Sequence, residues 1–434
     1  MPTPVYDALK EYAASGPTRF HMPGHKGTAL PIPELAGLAA IDVTELPLTG
    51  NLYQAGEPFD KAQALWAKVF GFDHCQFLTG GSTMGIHTGL TLLSSPGQKI
   101  LVDRGCHRAV YNALALLDLE PVFLQRPWLE EQNITGPFSR RDVEAALDAH
   151  PDIKTVCITS PTYSGLLSDV AGISQLVHAR GGKLFVDGAH GAHLPFLGVD
   201  AFAGADGVVV SAHKTLPAMG QSALLFTRGE DGERVRRTAS LYGSSSPSYP
   251  MLASLDVARQ WLLDYPQEYR RVIGRVADLR QNFPSLGNGM PLDPGRLTLA
   301  VKNGPAFTQA LEQMNIFPEM EDGGHVIFIC TAQDTDADLD RLTWALEQLC
   351  DDMGPCSPLP PPPIPKRVLS PRQALFSPFV SLPLERCLDR VCTCQLAPYP
   401  PGVPVVAPGE LISKKELSYF REIGYNKQDV QVTA

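Results

Sequence analysis

Two residues far apart in the chain carry the first chemical signal. The strand-like run Lys183–Asp187 is apolar and ends in an acid, followed by Gly188-Ala189-His190-Gly191-Ala192-His193. A carboxylate at the end of a buried strand is costly unless something cationic meets it; capping a loop or a helix is the plainer use of such an Asp. Val208-Val209-Val210 leads through Ser211-Ala212-His213 into Lys214. A lysine this close to a buried strand is desolvated, and a desolvated amine can form an imine. The plainer use here is a lysine that snorkels to solvent. Asp187 and Lys214 are 27 positions apart, room for one crossover and one strand, so acid and amine are expected at neighbouring strand ends. An acid that keeps a pyridinium nitrogen protonated and a lysine that forms an imine are what pyridoxal-5′-phosphate (PLP) chemistry needs. Ala189 is small enough to lie beneath a flat ring.

A third segment supplies a phosphate site. Phe77-Leu78-Thr79-Gly80-Gly81-Ser82-Thr83-Met84-Gly85 reads as a strand, two glycines, two hydroxyls and a helix start. Glycine allows close backbone approach, and the free N–H groups of a helix N-terminus bind anions. Gly81, Ser82 and Thr83 are therefore phosphate-binding candidates, with ordinary N-capping as the alternative. No Gly-Lys-Ser/Thr follows, so this is not a P-loop. Asp103-Arg104-Gly105-Cys106-His107 follows the next strand, and His107 is either a residue that stacks on the ring or a structural histidine.

These groups need a rigid frame. Between about residues 60 and 230, short apolar runs (75–78, 99–102, 121–124, 155–158, 183–186 and 207–210) alternate with amphipathic stretches such as 141–149 and 173–180. That pattern predicts an α/β fold with a mostly parallel sheet sandwiched by helices. Ligands in such sheets bind beyond the C-terminal strand ends, where each motif falls. Residues 1–45, rich in Pro and Gly, are expected to be an N-terminal arm, and 46–250 the large domain. Residues 251–354 are expected to hold long helices over 251–283 and a small α+β domain. The proline-dense stretch 355–365 favours an extended linker, and 366–434 forms a separate C-terminal unit.

The 434 residues suffice for two or three domains. A net charge of −10 without a basic block argues against nucleic acid as a partner. No apolar run of about 18 residues predicts a membrane span, and the N-terminus lacks the pattern of a signal peptide. Nine scattered cysteines read as reduced thiols of a cytoplasmic protein. The cluster Cys387, Cys392 and Cys394 lacks a second ligand pair, so no metal is expected.

Further motifs run along the chain. They are Phe20-His21-Met22-Pro23-Gly24-His25-Lys26-Gly27, Ser160-Pro161-Thr162-Tyr163, Ser211-Ala212-His213-Lys214-Thr215-Leu216-Pro217-Ala218, Ser246-Pro247-Ser248-Tyr249, Pro398-Tyr399-Pro400-Pro401-Gly402-Val403-Pro404 and Pro408-Gly409-Glu410. Over nearly its whole length the chain resembles the Orn/Lys/Arg decarboxylase family in its short bacterial form. These are fold-type-I PLP enzymes with a mostly parallel seven-stranded sheet and smaller α+β C-terminal domains. The resemblance implies that Lys214 carries PLP as a Schiff base, Asp187 holds the pyridine nitrogen and His107 stacks on the ring. It implies that Ser82, Thr83, Ser211 and His213 serve the phosphate, with Gly81, Ala189 and His190 also at the cofactor. Ser245 of the partner subunit would complete the phosphate site, which implies a homodimer with a shared active site or a higher oligomer. His21, His25 and Lys26 match a signature near the active-site entrance.

The implied activity is α-decarboxylation of arginine, lysine or ornithine, giving CO₂ and a polyamine precursor, with His213 as a candidate proton donor. This chain departs from many short members at three places. Gly188 stands where they have Glu, Gly50 and Tyr53 where they have Asp and His, and Thr393-Cys394 where they have Ala-Glu. A cationic substrate needs an acid partner, and Glu319, Glu321, Asp322 and Glu385 are the candidates. The losses keep open an aminotransferase or eliminase on the same fold, or a weakly active regulatory relative.

Overall fold

The computed structural model describes residues 2–28, 30–287, 289–356, 361–398 and 403–434. Positions 399–402 of the Pro-Tyr-Pro-Pro-Gly signature and 357–360 of the proline-dense linker lie outside the described residues.

In chain order come α1 (Pro4–Ala14), α2 (Phe59–Phe70), β1 (His74–Leu78), α3 (Gly81–Leu93), β2 (Lys99–Asp103), α4 (Arg108–Leu116) and β3 (Glu120–Leu124). A short hairpin, β4 (Trp128–Leu129) and β5 (Ile134–Thr135), precedes α5 (Arg140–Ala149), β6 (Thr155–Thr159), α6 (Val170–Ala179) and β7 (Lys183–Asp187). Next are β8 (Gly207–Ser211), α7 (Ala212–Thr215), β9 (Ala223–Thr227), α8 (Gly232–Ser240), α9 (Tyr249–Asp264) and α10 (Pro266–Asn282). Pro266 opens α10 where its missing N–H costs nothing, so the long helical stretch is two helices.

Seven strands form one sheet in the order β1-β9-β8-β7-β6-β2-β3. β2 runs parallel to β3 and β6, and β7 runs parallel to β8, while β9 is antiparallel to both of its neighbours. The expected mostly parallel α/β sheet is present, and its strands are near-continuous apolar runs because both faces are covered. β9 has no counterpart among the predicted strands. Its five-residue apolar run cannot be told from a buried helix segment by periodicity. The chain divides into two compact units: Met1–Leu92, Phe185–Val272 and Thr331–Gln333; and Leu93–Leu184, Ile273–Cys330 and Asp334–Ala434.

In the first unit, register sets the site. Leu78, the last residue of β1, and Ser211, the last of β8, both lie opposite Ala223 of β9. Asp187, the last of β7, lies opposite Val209 of β8. Helix α3 sits close on these strands through Gly85 and Gly89, one turn apart on one face. A Cβ at Gly85 would overlap Val209, and one at Gly89 would overlap the Phe185 ring.

In the second unit, β10 (Arg296–Ala300), α11 (Gly304–Gln313), β11 (Met320–Glu321), β12 (His325–Ile329) and α12 (Asp336–Gln348) build a three-stranded antiparallel sheet with helices. After it come α13 (Pro371–Leu375), β13 (Phe379–Leu382), β14 (Arg390–Val391), β15 (Leu411–Ile412), α14 (Lys414–Glu422) and β16 (Val430–Thr433). Their core is Leu396, Val406, Ile412, Phe420, Val430 and Val432, with Cys387 and Cys392 buried among them.

The N-terminal arm is more regular than its composition suggests. Val5 and Leu9, four apart, give α1 a buried face. The Asp7 carboxylate accepts from the Thr3 N–H at 3.1 Å, and Asp256 of α9 accepts from the Val5 N–H at 2.8 Å. Burial pushes the Asp256 carboxyl up to about 6. A raised folded-state value favours the folded protein while the group is protonated, below the unfolded value near 4. That contribution is lost as pH rises through about 6. Urea unfolding of the parent and Asp256→Asn tests the sign: the stability of the parent relative to the variant should fall between pH 4 and pH 7. A constant or rising difference contradicts it.

Candidate active site

In the first unit two pairs of expected residues meet, Ser82 with Ser211 and His190 with Lys214. The β1 and β8 ends are two strand spacings apart, about 10 Å, a gap bridged by Ser82 at the start of α3 and Ser211 at the end of β8. The Ser82 and Ser211 hydroxyls stand 2.5 Å apart. Gly81 starts α3 with φ +67, a conformation that favours glycine. Asp187 is 1% exposed, and its Oδ1 accepts from the Ala189 N–H at 3.2 Å. Lys214 sits in the short helix α7, with Nζ 3.0 Å from His190 Nε2. As an ammonium, Lys214 can only donate there, which would put the proton of a neutral His190 on Nδ1. His213 Nδ1 is 2.8 Å from the Ser222 carbonyl and must donate to it, which leaves Nε2 as the basic nitrogen.

The sequence signature at 20–27 forms a turn held by side-chain contacts within it and to Tyr12 and Asp42. The Lys26 ammonium donates to the His21 carbonyl at 2.7 Å, His21 Nε2 meets the Tyr12 hydroxyl at 2.5 Å, and His25 Nε2 meets Asp42 at 3.1 Å. Thr83 and Ser245 are exposed.

In the second unit, His107 is exposed and caps α4, its Nδ1 accepting from the Ala109 N–H at 3.2 Å. The turn before it is flanked by two buried ion pairs that sequence reading missed. Arg126 donates to Asp103 at 2.5 Å, and Arg104 grips Glu410 at 2.6 and 2.9 Å. The Arg104–Glu410 partners lie 306 positions apart, so no local pattern signals the pair. Among the candidate acids, Glu319 accepts from the Tyr163 hydroxyl at 2.5 Å, whereas Asp322 is 2.9 Å from His325 Nδ1 and Glu321 serves the Gly323 N–H at 2.8 Å.

The chemistry of this donor set fits PLP. Two adjacent hydroxyls and the N–H groups of the first turn of α3 suit a phosphate dianion. A buried carboxylate suits a protonated ring nitrogen, and a lysine beside an imidazole suits an imine-forming amine.

The three departures are built into the packing. A Cβ on Gly188 would stand 2.7 Å from the buried Phe202 ring and 3.2 Å from the Val209 carbonyl. One on Gly50 would stand 2.6 Å from Pro58 Cδ. The third position holds a thiol pair, Cys392 Sγ 3.8 Å from Cys394 Sγ. A hydrogen bond from Cys392 holds the Cys394 thiol below the usual thiol range, and the same contact with burial pushes Cys392 up. Among the described residues, no cluster could hold a metal ion and no helix is long and apolar enough to cross a membrane.

The family description "Orn/Lys/Arg decarboxylase, major domain" matches residues 3–308, and "Orn/Lys/Arg decarboxylase, C-terminal domain" matches residues 364–429. An uncharacterized protein of Bacillus subtilis, YaaO, is 32% identical over 99% of this chain and 96% of its own length. An arginine decarboxylase of Halalkalibacterium halodurans is 31% identical over 97% of this chain and 93% of its own. The solved constitutive lysine decarboxylase of E. coli superposes with a TM-score of 0.83 at 20% identity, covering 100% of this chain and 82% of that one.

Filling position 188 tests the packing account. Gly188→Ala should cost about 1–3 kcal/mol by overpacking, and Gly188→Glu should cost more, both read as lower thermal midpoints. An unchanged midpoint for Gly188→Glu contradicts it.

Proposed function

The chain belongs to the Orn/Lys/Arg decarboxylase family, and from that premise we propose that arginine is the amino acid it decarboxylates. It is a PLP-dependent amino-acid decarboxylase of fold type I, and the family places its substrate among the basic amino acids. The observation that carries arginine is the similarity, over nearly the full length of both chains, to an arginine decarboxylase.

PLP, when bound, draws electrons from the substrate Cα so that the bond to the α-carboxylate can break. Lys214 would supply the amine that holds it. Asp187, buried at the end of β7, would balance the positive charge of the ring nitrogen. Ser82 and Ser211, whose hydroxyls already meet, would bind the phosphate with Gly81, Thr83 and the first turn of α3. Ala189 would leave room for the ring, and His107 would stack on it. His190 accepts a proton from Lys214 Nζ, 3.0 Å away. His213, with Nδ1 committed to Ser222, offers only Nε2 to deliver the proton that replaces CO₂ at Cα. The reaction consumes one proton, as R–CH(NH₃⁺)–COO⁻ + H⁺ → R–CH₂–NH₃⁺ + CO₂.

Incubation of the purified PLP-loaded protein with arginine, lysine and ornithine tests this reading. CO₂ and agmatine should form from arginine with kcat/KM roughly tenfold or more above the other two. Keto acid without CO₂ points to aminotransfer and overturns it, and preference for lysine or ornithine overturns the substrate.

A homodimer belongs to the same proposal. Ser245 is exposed, and Ser245 of the partner subunit would reach the phosphate. Phe20 of the N-terminal arm is 92% exposed, an apolar surface that a second copy would cover. Sedimentation at micromolar concentration should give twice the 47.0 kDa chain mass or more. A single species of chain mass contradicts the shared site.

A further inference from the structure

His107 is exposed, and its Nδ1 accepts from the Ala109 N–H at 3.2 Å, so the place of the imidazole follows the backbone at the start of α4. That backbone is gripped from the C-terminal part of the chain at several points. Glu410 holds Arg104 through two parallel hydrogen bonds of 2.6 and 2.9 Å, the side chains being 2% and 7% exposed. The same guanidinium donates to the Val405 carbonyl at 2.8 Å and lies 4.8 Å from the centroid of the Phe123 ring. Glu410 is itself oriented by the Ala407 N–H at 2.7 Å. On the other side, the Arg104 carbonyl accepts from the buried Tyr111 hydroxyl at 2.8 Å, which ties the turn to the first turn of α4. Gln395 donates to Asn112 Oδ1 at 2.9 Å and to the Arg108 carbonyl at 3.3 Å. Arg372 donates to the Ala115 and Leu116 carbonyls at 3.3 and 3.1 Å, at the far end of the same helix.

A buried ion pair adds little net stability, because desolvation offsets its attraction. Its bidentate fork does add geometry. We propose that Glu410, acting through Arg104, is a positioning residue for His107, and that the C-terminal segment sets the place of this imidazole by holding α4 at both ends. This rests on the reading of His107 as a cofactor contact. Loss of the Glu410 charge frees the Arg104 fork, the turn 104–107 relaxes, and the imidazole no longer holds one orientation.

A double-mutant cycle on PLP binding tests it without reference to turnover. Apo protein of the parent, Glu410→Gln, His107→Ala and the double variant is titrated with PLP, and affinity and the absorbance of the bound cofactor are recorded. Each single change should weaken PLP by roughly tenfold, and the double should be no weaker than the worse single, because both act on one contact. The bound cofactor's absorbance in Glu410→Gln should move in the same direction as in His107→Ala. If Glu410→Gln weakens PLP by the same factor with and without His107, the positioning role is overturned while the reading of His107 stands. If His107→Ala leaves affinity and absorbance unchanged, the reading of His107 fails and the positioning role falls with it. Should Glu410→Gln fail to fold, Gln395→Ala enters the same cycle. It removes two contacts to α4 without stranding a buried charge, and independence from His107 again overturns the proposal.

Discussion

The pairing of β8 with β9, and of β9 with β1, is the constraint on which the candidate site depends. Because Leu78 and Ser211 both face Ala223, the two strands end level on one edge of the sheet. The chain leaving β1 turns at Gly81 into α3, and the chain leaving β8 turns at once into α7. Level ends and short turns bring Ser82 and Ser211 together, and Lys214 follows within one helical turn. A slip by one residue would turn Ser211 to the opposite face of the sheet. β8 and β9 are buried along their whole lengths, so such a slip would also repack every side chain of the two strands.

Helix α3 translates this register into a candidate anion site. Its N-terminus is useful only if the helix lies close to the strands, and Gly85 and Gly89 permit that approach against Val209 and Phe185. The second unit solves a different problem. His107 lies beyond β2 on a turn whose Cys106 is fully buried, and buried guanidinium–carboxylate pairs flank that turn. Asp103 and Arg104 are adjacent, yet their partners come from Arg126 and from Glu410.

Much of this was legible in the sequence, for physical reasons. Runs such as Val208-Val209-Val210 have one stable use in a large α/β chain, and an acid or amine at the end of such a run is conspicuous. Six of the seven strands of the main sheet follow from that pattern. β9 does not, because it precedes no motif and its length alone cannot separate strand from helix. Helix α1 is hidden by the prolines and glycines after it, although Val5 and Leu9 keep helical spacing. The missing acids read as losses in the sequence. In the structure Gly188 is the place where Phe202 packs, a pairing that no local pattern carries. Likewise, Tyr53 reads as a substituted histidine, whereas its hydroxyl lies against Gly243, at the edge of the Ser244–Ser246 run.

All of this places Lys214 as the proposed amine for PLP. Borohydride reduction of the PLP-loaded protein, followed by peptide mapping, tests it directly, since reduction makes the link between amine and cofactor permanent. One pyridoxyl group per chain is expected, on the peptide containing Ser211-Ala212-His213-Lys214. A label on any other lysine, or none in protein that has taken up PLP, would contradict it.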